Sequence, residues 1–175
     1  MSVTRREFVA DAARAAAAAA ILPRSAAAAV VTPPKTAPAD KLKLAIVGCG
    51  GMGMSNAREL VGEDIVALCD VDFGYVDKAL FNFLRDRETK KKDEQEKLTK
   101  LEAAYHSARR YTDFREMLAT EKALDGVVVA TPDHLHAVVA AAAMKAHKAV
   151  YVQKPLTRTV HEARALKELA RTTGV

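Results

Sequence analysis

The sequence predicts an α/β fold in which helices cover both faces of a doubly wound parallel sheet. Two observations lead to this prediction. Short, continuously apolar segments alternate with segments of helical length along residues 41–175, as expected for parallel strands that are buried on both faces. The first apolar segment also runs directly into a glycine-rich turn that opens a helix, which is a common start for a βαβ unit.

Residues 1–40 precede this region and read as an export signal with a disordered linker. Arg5-Arg6-Glu7-Phe8 lead into an alanine-rich apolar run from Ala15 to Leu22, and Ser25 to Ala29 offer a cleavage site. The pattern resembles a twin-arginine signal, and the run is shorter than the ~20 apolar residues of a membrane span. We therefore expect the twin-arginine machinery to export the protein to the periplasm or the medium. A native alanine-rich helix is the alternative.

The first strand is predicted at Leu42–Val47 and feeds a G-x-G-x-x-G turn. The three glycines of this pattern are Gly48, Gly50 and Gly53. The first permits the tight turn, the second lets the backbone approach a pyrophosphate, and the third lets the helix pack on the strand. The helix, expected over about residues 52–61, then points the N–H groups of Gly51 and Met52 at the phosphates.

A second apolar strand, Ile65–Cys69, ends in Asp70, which lies 22 residues after Gly48. This is close to the offset of about 20 at which a carboxylate holds the adenosine ribose. Because a carboxylate repels a 2′-phosphate, Asp70 favours NAD over NADP. The competing interpretation is that Asp70 is a turn residue at the end of the strand. Asp72 is interpreted as the N-cap of the next helix.

A strongly charged segment follows, with no apolar side chain from Arg85 to Lys97. Apolar residues flank it on both sides, so one long helix with a solvated middle is predicted. The basic run at residues 90–92 is mixed with acidic residues, which argues against a contact with nucleic acid.

The second half of the chain repeats the alternation of strand and helix. Aspartate and threonine caps, each followed three residues later by glutamate, open two of its helices as capping boxes at Asp113 and Thr159. The predicted elements are a strand at 109–112, a helix after Asp113, a strand at 126–130, a helix at 133–146, a strand at 149–152 and a helix from Thr159 to about 171.

The residues that carry chemistry all follow strands. Ligands of open parallel sheets bind outside the carboxyl ends of the strands, and the glycine turn, Asp70, Thr131-Pro132 and Lys154 all fall there. We therefore expect one nucleotide site at this edge of the sheet.

Several of these motifs together resemble the N-terminal domain of the Gfo/Idh/MocA oxidoreductases. The matching segments are Gly48–Gly53, Cys69–Asp72, Tyr111–Phe114, Thr131-Pro132 with His136, and Gln153-Lys154-Pro155. The resemblance implies a Rossmann-like domain and NAD(P)-dependent hydride transfer at a carbon of a sugar, polyol or related compound.

The resemblance also implies roles for individual residues. Thr131, Pro132 and His136 would line the ribose and nicotinamide end of the cofactor, beside Pro155. Lys154 corresponds to the lysine of an E-K-P motif, where it would touch the nicotinamide ribose and the substrate hydroxyl and relay a proton. The sequence departs from this motif at Gln153, which keeps hydrogen bonding but lacks the negative charge of glutamate.

The resemblance further implies a sixth strand and a C-terminal α/β domain, which would supply most substrate contacts and the oligomer interface. On that basis we expect the 175-residue chain by itself to be inactive. The alternatives are an NAD-dependent glycosidase of the same family and a non-catalytic NAD-binding module.

Composition limits the other classes of function. Four of the 27 basic and two of the 22 acidic side chains lie in residues 1–29, so the remainder is close to neutral. The chain has no tryptophan, and neither feature suits a nucleic-acid binder. Cys49 and Cys69 fit neither a disulfide framework nor the spacing of a metal site, and we expect both to be buried.

Overall fold

The structure, a computed structural model, describes residues 41–175. The predicted export signal and linker, residues 1–40, lie outside the described residues. Five strands alternate with six helices and one short 3₁₀ helix in this part of the chain. Their order is β1 (Lys43–Val47), α1 (Gly51–Glu59), β2 (Asp64–Cys69), α2 (Phe73–Leu84), the 3₁₀ helix (Arg87–Thr89), α3 (Lys92–Ser107), β3 (Arg109–Tyr111), α4 (Phe114–Thr120), β4 (Gly126–Val129), α5 (Asp133–Lys145), β5 (Ala149–Val152) and α6 (Val160–Thr173).

The five strands form one parallel sheet in the order β3-β2-β1-β4-β5. The chain moves outward from β1 to one edge, returns, and moves outward to the other edge, which confirms the predicted doubly wound topology. β1 lies at the centre, and four of its five residues are buried. The point where the winding reverses is therefore the gap between β1 and β4.

Each face of the sheet carries its own apolar layer. Residues of alternating register point to opposite faces, so Ile46, Leu68 and Val128 pack with α1, α2 and α3. Their neighbours Val47 and Val129 pack on the other side with α4 and α5. This alternation explains why the strands are continuously apolar.

The prediction of a single long helix across Arg85–Lys97 is wrong. The chain forms two helices, α2 and α3, joined by the 3₁₀ helix and a short turn. In one straight helix, Leu80 and Leu101 would be about 30 Å apart, yet both lie buried in the same core cluster. Folding back places both apolar ends on the sheet, and an ion pair of 2.7 Å between Arg87 and Glu102 spans the turn.

Three predicted helix starts can be compared with the structure. The Asp72 carboxylate accepts from the Tyr75 N–H at 2.9 Å, which confirms the N-cap of α2. The capping box of Thr159 is complete and opens α6. Asp113 is the N-cap of α4, as predicted, but its capping box is not formed, because its carboxylate accepts from the Arg115 N–H and binds the Arg115 guanidinium. Those two contacts also lower the pKa of Asp113 to about 2.

The sheet ends in β5, which has a strand neighbour on one side only among the described residues. Beside it an apolar groove of about 520 Å³ runs between α1 and the strands β1, β4 and β5. Within residues 41–175, no helix is both long and apolar enough to cross a bilayer.

Candidate functional site

The predicted site residues converge at the carboxyl edge of the sheet. Four loops follow the adjacent strands β2, β1, β4 and β5, and they carry Asp70, the glycine turn, Thr131-Pro132 and Lys154-Pro155. The apolar groove lies elsewhere, since it is lined by residues near the starts of these strands, such as Leu42 and Leu44. The chemistry-bearing loops therefore define the candidate site.

Two of the glycines are required by main-chain packing. Gly48 has a φ of +83°, and a Cβ there would lie 2.7 Å from the backbone of Ala130 and Thr131. A Cβ at Gly53 would lie 1.8 Å from the Gly48 carbonyl oxygen. These contacts press α1 and β4 against the turn and fix its shape, as the sequence pattern predicts.

The first turn of α1 faces open space. Among residues 41–175 no side chain caps the helix, and its first turn has no acidic residue. A Cβ at Gly51 would meet no atom of the described residues within 4 Å, and the Met52 side chain is exposed. An uncapped helix N-terminus with free space beside its first residue carries partial positive charge and unpaired N–H groups, which is a setting that suits an anion such as a diphosphate.

The Asp70 carboxylate lies against the glycine turn. One of its oxygens accepts from the Cys49 N–H at 2.7 Å, and the other accepts from the Asp72 N–H at 3.0 Å. The carboxylate is thus held beside the glycine turn, next to which it was predicted to bind the ribose. Burial, followed by the nearby Asp70 charge, raises the pKa of the Cys49 thiol above its ordinary value. Cys49 and Cys69 are both buried, as expected.

His136 joins the two loops on the opposite side of the turn. Its ring is 1% exposed, Nε2 lies 2.7 Å from the Thr131 carbonyl oxygen, and Nδ1 lies 2.7 Å from the Pro155 carbonyl oxygen. A carbonyl oxygen only accepts, so the ring nitrogen that carries the proton donates to the carbonyl oxygen beside it. His136 thereby sets the spacing between the loops of β4 and β5, while His134 is exposed.

Thr131 supplies an unpaired polar atom at this edge. Its Oγ1 is buried and has no hydrogen-bond partner among the described residues. Buried hydroxyl groups are normally hydrogen-bonded, so such an atom invites a ligand or a water molecule. Together with the open turn of α1, this atom indicates that the residues present fit a dinucleotide.

Lys154 is exposed at the mouth of the site, and Gln153 anchors its loop. The Gln153 side chain donates from Nε2 to Asn56 Oδ1 at 3.0 Å, and its Oε1 accepts from the Lys154 N–H at 3.2 Å. Asn56 was not singled out in the sequence, because an amide in the middle of a helix carries no local signal. Within residues 41–175, no cluster of three or more potential metal ligands is found.

Comparisons with known proteins agree with this geometry. The oxidoreductase family with an NAD-binding Rossmann fold, GFO_IDH_MocA, matches residues 42–175. A glycosyl hydrolase family 109 protein of Stenotrophomonas maltophilia is 34% identical over 85% of this chain and 29% of its own length. Inositol 2-dehydrogenase of Salmonella typhimurium is 27% identical over 76% of this chain and 34% of its own length.

Solved structures show the same fold. GenD2 from gentamicin A biosynthesis, solved in complex with NAD, is 29% identical with a TM-score of 0.58, over 83% of this chain and 36% of that one. The myo-inositol 2-dehydrogenase of Lactobacillus plantarum has a TM-score of 0.56 and 24% identity, over 77% of this chain and 34% of that one. The chain spans about a third of the length of the relatives that it matches.

Proposed function

This chain belongs to the GFO_IDH_MocA oxidoreductase family, and on that premise we propose that its carboxyl sheet edge binds NAD. We further propose that the whole protein transfers a hydride between NAD and a carbon of a sugar, polyol or related compound. The observation that carries the proposal is the glycine turn, which is open at Gly51 in the first turn of α1 and holds the Asp70 carboxylate on its Cys49 N–H.

The two halves of the cofactor take opposite sides of the turn. The N–H groups of Gly51 and Met52 would hold the diphosphate at the start of α1. Asp70 would accept from the adenosine ribose hydroxyls and disfavour a 2′-phosphate, which makes NAD the preferred cofactor. The Thr131 hydroxyl would pair with the nicotinamide half.

Pro132, His136 and Pro155 shape the nicotinamide end of the site. His136 would act on the cofactor indirectly, by positioning the two loops that it joins, since its own ring nitrogens face protein carbonyl oxygens. Pro132 and Pro155 lie in those two loops and are exposed. We infer that these residues fix the pocket wall, while the direct polar contacts come from other groups.

Lys154 is the proposed catalytic residue. When bound, NAD or NADH supplies the hydride acceptor or donor. The exposed ammonium of Lys154 would donate a hydrogen bond to the substrate oxygen and polarise it. In an oxidation, the ammonium of Lys154 would relay the hydroxyl proton to solvent as the carbonyl forms, giving up one of its own protons and taking up that of the substrate.

Isothermal titration of the 175-residue chain tests the cofactor proposal. We expect NAD to bind and NADP to bind more weakly. We expect Asp70→Asn to reduce the ratio of the two affinities. His134→Ala is the matched control, because His134 is exposed and lies outside the proposed contacts. Absence of NAD binding, or equal affinity for NADP in the unaltered chain, would overturn the assignment.

The 34% identity to a glycosyl hydrolase family 109 protein favours a second candidate activity. A glycosidase that oxidises and then re-reduces its sugar with NAD gives no net NADH. The whole protein should therefore be assayed on sugars and polyols for NADH, and on nitrophenyl glycosides for nitrophenol. NADH that accumulates in step with product supports the dehydrogenase, whereas nitrophenol release without NADH supports the glycosidase.

We also propose that residues 1–40 direct twin-arginine export. The support is the Arg5-Arg6 pair ahead of an apolar run. The similarity to the Stenotrophomonas protein covers more of the chain than residues 41–175 contain, so it extends into this segment. A reporter fused after residue 40 should reach the periplasm, and replacing both arginines by lysine should retain it in the cytoplasm. Export that survives this change would refute the proposal.

A further inference from the structure

The Tyr75 side chain lies directly over Gly50, the residue that precedes α1. A Cβ built on Gly50 would lie 2.5 Å from Tyr75 Cε1 and 2.9 Å from Cδ1. No side chain at position 50 fits under the ring in this position. The second glycine of the turn, which the sequence pattern reserves for a close approach of pyrophosphate, is therefore covered by an aromatic ring of the protein itself.

The backbone of Tyr75 is fixed, but its ring is not. Its N–H donates to the Asp72 carboxylate at 2.9 Å in the first turn of α2. The side chain is 58% exposed, and its hydroxyl makes no hydrogen bond to the described residues. Tyr105, by contrast, is buried and donates to Asp77 at 2.6 Å. Only local side-chain rotation is needed to uncover Gly50.

The position of the ring assigns it to one half of the cofactor. Tyr75 belongs to α2, which follows β2 and Asp70, whereas the loops of β4 and β5 lie on the other side of β1. Since Asp70 marks the adenosine ribose side, Tyr75 lies on that side too. A dinucleotide that approaches Gly50 would have to displace the ring from this position.

We propose that Tyr75 is a movable aromatic residue that leaves Gly50 when NAD binds and then packs its ring against the adenosine. Aromatic rings commonly hold nucleobases by stacking, which is worth roughly 5- to 150-fold in affinity for each base. This inference rests on the proposed NAD site and adds a binding residue to it.

Variants at Tyr75, titrated with NAD, AMP and NMN, test this role. Tyr75→Ala should weaken binding of NAD and AMP roughly 10-fold and leave NMN unchanged, while Tyr75→Phe keeps the ring and should bind like the unaltered chain. Tyr151→Ala is the matched control, because Tyr151 is also 58% exposed but lies on β5 beside the apolar groove.

Incorporated 3-fluorotyrosine reports the movement directly, since the chain has only four tyrosines. The resonance that is missing in Tyr75→Phe should shift with AMP and not with NMN. Unchanged affinity of Tyr75→Ala for AMP would overturn the inference, and tighter binding would show that the ring only obstructs the site. If the unaltered chain binds neither NAD nor AMP, the proposed function itself fails, and this inference fails with it.

Discussion

Replacing His136 by alanine should loosen both loops at the nicotinamide end of the site. The ring is 1% exposed. Among the described residues, it is the only side chain that contacts both the Thr131 and the Pro155 carbonyl oxygens. Alanine removes both ring nitrogens from these carbonyl oxygens and leaves a buried gap in their place. We therefore expect a loss of stability and a loss of cofactor affinity from the same substitution.

The size of the stability change follows from these contacts. The one hydrogen bond that a neutral ring donates contributes about 1 kcal/mol, and the cavity left by the ring adds about another 1 kcal/mol. The expected total is about 2 kcal/mol, which corresponds to a fall in melting temperature of roughly 7 °C for a domain of this size. His136→Gln keeps one donor and should lose roughly half as much.

Urea denaturation followed by circular dichroism measures the stability, and titration with NAD measures the affinity. His134→Ala is the control, because it removes an exposed imidazole two residues away. If His136→Ala unfolds within about 0.5 kcal/mol of the unaltered chain, a difference typical of a neutral surface change, the two contacts do not hold the loops and the reasoning is wrong.

Three further predictions concern the turn, the thiols and α6. Gly53→Ala should cost more than about 2 kcal/mol in urea denaturation, because its Cβ would lie 1.8 Å from a carbonyl oxygen of the turn, whereas Gly62→Ala meets nothing within 4 Å and should be neutral. Burial raises the pKa of Cys69 to about 12 and also raises the pKa of Cys49, so the thiolate fraction of both is low in the folded chain. Iodoacetamide should therefore modify both cysteines roughly 100-fold faster in the urea-unfolded chain than in the folded chain. Equal rates in the two states would contradict this. Thr159→Ala should cost about 1 kcal/mol and speed amide exchange at the start of α6, and unchanged exchange would show that the capping box is not needed.

Features set by local chemistry were predictable from the sequence. The valine run of β4 is buried on both faces, and a continuous apolar segment has no other stable place in a small α/β domain. The caps at Asp72 and Thr159 depend on side chains reaching N–H groups within three residues. The carboxyl edge followed from the parallel order alone, so Asp70 could be placed beside the turn before any coordinates were known.

Features set by contacts distant in sequence were not predictable. No proline or glycine interrupts Arg85–Lys97, and only the shared core requires the chain to turn back. The bond between Gln153 and Asn56 joins residues 97 positions apart. Tyr75 lies over Gly50 because α2 packs beside α1. No pattern in the sequence of either helix predicts that contact.

The turn at Gly48–Gly53 is held in shape by contacts within the protein. Gly48 donates to the Cys69 carbonyl oxygen at 2.8 Å, Cys49 donates to Asp70, and Gly53 is pressed on Gly48. Little conformational entropy is left for a ligand to remove from this backbone. Binding of a ligand to the turn should accordingly be fast and should leave amide exchange in the turn almost unchanged. The entropy lost on binding should then come from ordering the side chains around the site.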